Sequence, residues 1–90
     1  MPSYLVESYA DRSSFEEAGE RAERTAELGN GVRYVRTTFL PGDEMVLHLF
    51  EAPSIEALDS AASLAALSFE RIVPAVESRT PPRARDGARR

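Results

Sequence analysis

The single histidine of this chain, His48, and a carboxylate near its start, Glu7, are the residues that could carry chemistry. His48 interrupts the apolar stretch VLHLF, and Glu7 is the only charge in YLVESY. Burial among apolar and aromatic side chains favours the protonated form of a carboxylate, and a neighbouring imidazole would complete an acid/base pair. Glu7 and His48 are therefore candidate catalytic residues for proton transfer on an enolisable or aromatic substrate. The alternatives are a structural histidine and a buried Glu7–Arg36 ion pair.

The same imidazole could ligate a metal ion. Imidazole suits nickel and zinc, and His48 with Glu7, joined by the same residues of a second subunit, would form a site with few nitrogen donors. The 90-residue chain has no cysteine, which excludes disulfides, thiol catalysis and thiolate zinc sites. We expect weak binding of nickel or zinc at His48 at best, and we prefer an organic ligand.

Two helical segments alternate with four segments that are rich in β-branched and aromatic residues. Strands are predicted over residues 4–9, 32–40, 45–51 and 69–77. The first helix follows two overlapping capping boxes that begin at Ser13 and Ser14, and the second follows the capping serine Ser54. A turn at residues 41–43 joins the second and third strands into a hairpin. The order βαββαβ predicts an α+β, ferredoxin-like sandwich, in which a four-stranded antiparallel sheet carries both helices on one face.

The length of the hairpin loop decides which side chains share a face of this sheet. A three-residue loop puts one set toward the helices: Val35, Thr37, Phe39, Met45, Leu47 and Leu49. The opposite, open face then carries Tyr34, Arg36, Thr38, Val46, His48 and Phe50, together with Leu5, Glu7 and Tyr9. A two-residue loop would exchange one strand relative to its partner. The candidate ligand-binding residues of the open face are Tyr9, Tyr34, Arg36 and Phe50.

Three segments resemble a bacterial family called domain of unknown function 4242. They are YLVES, GVRYVRTTF and the VLHLFEAPS block before an alanine-rich helix, and the resemblance covers residues 4–77. It implies a ferredoxin-like protomer, a homodimer of the dimeric α+β-barrel kind and an internal pocket between the facing sheets. Because the family includes a nickel-binding protein, the resemblance also raises metal binding.

Charge divides the chain into two parts. Residues 79–90 contain five arginines and one aspartate, whereas the whole chain has 11 basic and 15 acidic residues. We expect one domain over residues 1–78 and a disordered basic tail over residues 79–90. The tail lacks interleaved aromatic residues and the chain lacks a phosphate loop, so we expect no nucleic-acid partner and no nucleotide cofactor. Without a membrane span or a signal peptide, a cytoplasmic protein with no membrane partner is expected.

These features predict a small binding protein that holds a small organic ligand, or less readily a divalent metal, between the sheets of a homodimer. The homodimer is expected because Leu5, Val46 and Phe50 together would expose a large apolar patch. The alternative is a cofactor-independent enzyme, an oxygenase, isomerase or cyclase, that uses Glu7 and His48 for proton transfer.

Overall fold

A four-stranded antiparallel sheet with two helices packed on one face forms the body of the protein, in a computed structural model that describes residues 1–76. The strands are β1 (Ser3–Tyr9), β2 (Arg33–Leu40), β3 (Met45–Glu51) and β4 (Arg71–Ala75), and the helices are α1 (Phe15–Leu28) and α2 (Ile55–Leu64). The order across the sheet is β2-β3-β1-β4, so β1 and β3 are central. The predicted ferredoxin-like α+β fold is confirmed.

Short polar side chains begin the helices. Ser54 caps α2 as predicted, because its hydroxyl accepts a hydrogen bond from the Ala57 amide at 3.1 Å. Ser14 does not cap α1 through its side chain. Instead Asp11 accepts from the Ser14 amide at 3.0 Å and from the Ser13 hydroxyl at 2.7 Å, and a 3-10 turn over Arg12–Ser14 leads into the helix.

The loop of the β2–β3 hairpin has four residues, 41–44, and not the predicted three. Leu40 pairs with Met45, and Glu44 adopts a left-handed backbone with φ of 52° that belongs to the turn. One additional loop residue reverses β3 relative to the prediction, because successive strand residues point to opposite faces. The prediction for β3 was therefore wrong: Val46, His48 and Phe50 face the helices, and Met45, Leu47 and Leu49 face away.

A β-bulge at Val35 changes the pattern within β2. Tyr34 lies opposite Phe50, and the next paired residue, Arg36, lies opposite Leu49. Because directly opposite residues share a face, Tyr34 points toward the helices and Arg36 points away. The prediction that Tyr34 lies on the open face was wrong for this reason. The open-face positions of Arg36 and Thr38 are confirmed.

The core lies between the sheet and the helices. It buries Val6 and Phe50 from the central strands against small helix residues, with Tyr4, Tyr34 and Ile72 packed at its margin. The core residues of the helices are Ala22, Leu58, Ala61 and Ala62. Alanines on both helices let their backbones approach the sheet closely.

The predicted basic tail, residues 79–90, lies outside the described residues, as do the last two residues of the predicted domain. None of the helices in the described part is long and apolar enough to cross a membrane.

Candidate functional site

The sheet face that the helices leave uncovered, here called the open face, contains a concavity of about 290 Å³. Three leucines, one from β1 and two from β3, line it together with Arg36 and Thr38 of β2 and with Ala75 and Val76 at the end of β4. We call it the open-face concavity. Its wall thus combines apolar surface with one guanidinium and one hydroxyl.

Strand register explains why the concavity is apolar. Leu5 lies opposite Leu49 across the two central strands, and Leu47 is two residues away from Leu49 on the same face. Leu49 is only 5% exposed, whereas Leu5 and Leu47 are half-buried. An apolar surface with a few convergent polar groups is the usual character of a small-molecule site.

Two ion pairs lie on the open face beside this concavity. Arg71 Nε binds Glu7 Oε1 at 3.0 Å, and Arg33 binds Glu51 at 2.7 Å. Glu7 is directly opposite Arg71 on the neighbouring strand β4. Arg36 was predicted as the partner of Glu7, but the partner is Arg71. The adjacency of the first and last strands in this fold could have indicated it.

His48 lies on the helix side of the sheet, inside the core. Its side chain is fully buried, and its Nδ1 is 2.7 Å from the hydroxyl of Thr37, which is 2.5 Å from the hydroxyl of Tyr34. The other ring nitrogen, Nε2, makes no hydrogen bond within the described residues. Burial lowers the pKa of His48 from 6.5 to about 4, because the charged imidazolium is poorly solvated there. His48 is therefore neutral at pH 7.

Glu7 and His48 are not brought together. Val6, the neighbour of Glu7, is the residue directly opposite His48, so Glu7 and His48 project from opposite faces of the sheet. The expected acid/base pair is not formed, because the four-residue hairpin loop turned His48 into the core. Because the two side chains lie on opposite faces of the sheet, one small substrate does not contact both of them.

The predicted ligand-binding residues separate in the same way. Tyr34 and Phe50 pack together in the core, with ring centroids 5.6 Å apart. Tyr9 is 65% exposed at the end of β1, outside the lining of the concavity. Arg36 alone of the four lines the concavity, where Leu5, Thr38, Leu47 and Leu49 join it.

The residues proposed for a metal do not form a metal site. Across residues 1–76, no group of three or more histidine, aspartate or glutamate side chains is placed to hold a metal ion. His48 is enclosed in the core and Glu7 is bound to Arg71 on the other face. The described residues thus do not fit the nickel or zinc site considered from the sequence. Metal binding stays a prediction.

No protein-family model and no curated protein matches this chain. The crystal structure of SCO4226 from Streptomyces coelicolor A3(2) is similar in fold, with a TM-score of 0.68 and 16% sequence identity over 84% of this chain and 98% of that one. At that identity the likeness supports the ferredoxin-like fold alone. The resemblance to the domain of unknown function 4242 family stays a prediction.

Proposed function

We propose that this protein is a small-molecule binding protein, and that its ligand lies in the open-face concavity between the sheets of a homodimer. The observation that carries the proposal is the concavity itself, in which Leu5, Leu47 and Leu49 are gathered on the helix-free face. A volume of about 290 Å³ is close to the lower end of the range for small-molecule pockets. A second subunit over the same face would enclose a larger space.

Dimerisation is proposed for a physical reason. Both helices cover one face of the sheet, so half-buried apolar side chains of β1, β3 and β4 are left on the other: Leu5, Met45, Leu47 and Val73. Antiparallel sheets tolerate one solvated face when that face is polar, but a contiguous apolar face favours a partner. Val46 and Phe50, which were predicted for this apolar patch, lie in the core, and Met45, Leu47 and Val73 accompany Leu5 instead.

Binding of a neutral apolar probe tests the function. We expect the dye Nile red to gain fluorescence with the wild-type protein, and Leu47→Ala to weaken this binding by about fivefold or more because apolar contact is lost. The matched control is Leu64→Ala, which removes the same atoms from a leucine of α2 that is 70% exposed. This control should bind the dye like wild type.

Two results would contradict the proposal. Absence of dye binding by the wild-type protein would contradict the proposed small-molecule binding function. Equal affinity of Leu47→Ala and wild type would put the dye outside the open-face concavity.

A further inference from the structure

Two carboxylates flank the open-face concavity, and each is bound to an arginine of an edge strand. Glu7 lies directly opposite Leu47, a lining residue, and its Oε1 accepts a hydrogen bond from Nε of Arg71 at 3.0 Å. Glu51, at the end of β3, is bound to Arg33 at 2.7 Å. The negative charges beside the leucines are therefore compensated within the protein.

The arginine that lines the concavity is engaged as well. Arg36 is the one ionisable side chain among the described lining residues, and it has an interaction of its own within the protein. An ion that entered the concavity would lose hydration without gaining a free opposite charge, and burial of an unpaired charge is costly. An uncharged molecule avoids this cost, so the described lining favours a neutral ligand.

We propose that the ligand of the open-face concavity is an uncharged molecule with an apolar body and one neutral oxygen, as in an alcohol. The inference rests on the binding function proposed above. The body lies on the lining leucines, which are Leu5, Leu47 and Leu49. Thr38 is exposed on the same face, directly opposite Leu47, so its hydroxyl can donate a hydrogen bond to the ligand oxygen. In such a site the apolar wall provides affinity and the polar group fixes the orientation.

A charge series of one chain length tests this inference. The probes are octanol, the anion octanoate and the cation octylammonium, each titrated calorimetrically into the full chain at about pH 7, where both ions are charged. We expect octanol to bind at least about tenfold more tightly than either ion, because only the ions lose the hydration of a charge.

Substitution of Thr38 tests the hydrogen bond to the oxygen. Thr38→Val retains the shape of the side chain without its hydroxyl, and it should weaken octanol binding by about threefold or more. The matched control is Thr38→Ser, which retains the hydroxyl and should bind octanol within about twofold of wild type. Circular dichroism of both variants checks that the fold is retained.

Substitution of Arg71 tests the compensation of charge. Arg71→Gln leaves the Glu7 carboxylate beside Leu47 without this cation, so it should raise the affinity for octylammonium by about threefold or more. The matched control is Arg24→Gln, which removes the same charge from an exposed position of α1. This control should bind octylammonium like wild type.

The outcomes separate this inference from the function on which it rests. Binding of either ion as tightly as octanol by the wild-type protein would overturn the neutral ligand. Equal octanol affinities of Thr38→Val and wild type would overturn the hydrogen bond from Thr38, and an unchanged octylammonium affinity in Arg71→Gln would overturn the role of the ion pair. Failure of octanol while Nile red still binds would overturn the inference alone. Failure of both would overturn the binding function too.

Discussion

His48 is an ionisable side chain that the fold keeps neutral. Its hydrogen-bonded neighbours are the Thr37 hydroxyl and, through it, the Tyr34 hydroxyl, and neither carries a charge that would stabilise an imidazolium. Phe50 packs nearby on the same strand, with ring centroids 6.4 Å apart. The polar chain from Tyr34 to His48 is therefore a structural element of the core.

This environment predicts a specific loss of stability in acid. The unfolded chain has a His48 pKa of 6.5 and the folded protein one of about 4, so the unfolded state binds more protons between these values. The free energy of unfolding should then fall as the pH falls from 6.5 toward 4, by on the order of 3 kcal/mol from this residue alone. Urea unfolding at several pH values measures the slope.

The comparison for this measurement is His48→Leu, which retains every carboxylate of the protein. Its unfolding free energy should fall less steeply over the same pH window, because only the histidine contribution has been removed. Parallel pH profiles for wild type and His48→Leu would show that protonation of His48 is not coupled to unfolding.

At Gly29, the residue after α1, the chain lies close to α2 and to Val32, the residue before β2. A Cβ placed there would lie 2.7 Å from Cγ2 of Val32 and 2.8 Å from Cβ of Ala61. The φ of Gly29 is −94°, which any residue can adopt, so the glycine is required by space and not by backbone conformation. Ala61 lies on α2, and its Cβ cannot rotate away.

We expect Gly29→Ala to lower the free energy of unfolding by roughly 1–3 kcal/mol, since the added methyl group overpacks the contact with Val32 and Ala61. The control is Gly19→Ala in the middle of α1, where an added Cβ meets no atom within 4 Å. That change should raise the free energy of unfolding by up to about 1 kcal/mol, because alanine favours a helix over glycine. Urea unfolding of both variants tests this, and equal effects of the two would contradict the close approach at Gly29.

The open face is the part of the molecule that bears on its oligomeric state. One layer of helices covers the core side, and the apolar residues of the other side have no cover among residues 1–76. For a chain of this size, burial against a second copy adds apolar area that a small core lacks. Dimerisation would also enclose the proposed ligand site.

Light scattering at micromolar concentration should give a mass near twice the 9.9 kDa of one chain. Leu47→Glu puts a charge into the proposed interface and should produce a monomer, because an unpaired buried carboxylate is costly. Leu64→Glu, on the exposed surface of α2, should remain dimeric. A wild-type protein that is monomeric at every concentration tested would overturn the dimer.

The amino-acid sequence alone determined the elements and their order. Strand composition, the Ser54 cap and the turn residues around Gly42 act over a few positions, so they can be recognised without knowledge of tertiary contacts. The same local patterns placed Leu5, Glu7 and Tyr9 on the open face correctly. Proline cannot donate to a central ladder, and Pro74 accordingly lies on the edge strand β4.

Only the tertiary structure decided which chemistry each face carries. Glu44 takes a left-handed conformation that its residue type does not favour, and this lengthens the hairpin loop by one residue. The bulge at Val35 likewise depends on how Tyr34 and Arg36 pair with β3. Because strand side chains alternate, each single-residue shift exchanges the faces of everything beyond it. The first shift moved His48 from the expected site into the core, and the second turned Tyr34 from the open face toward the helices.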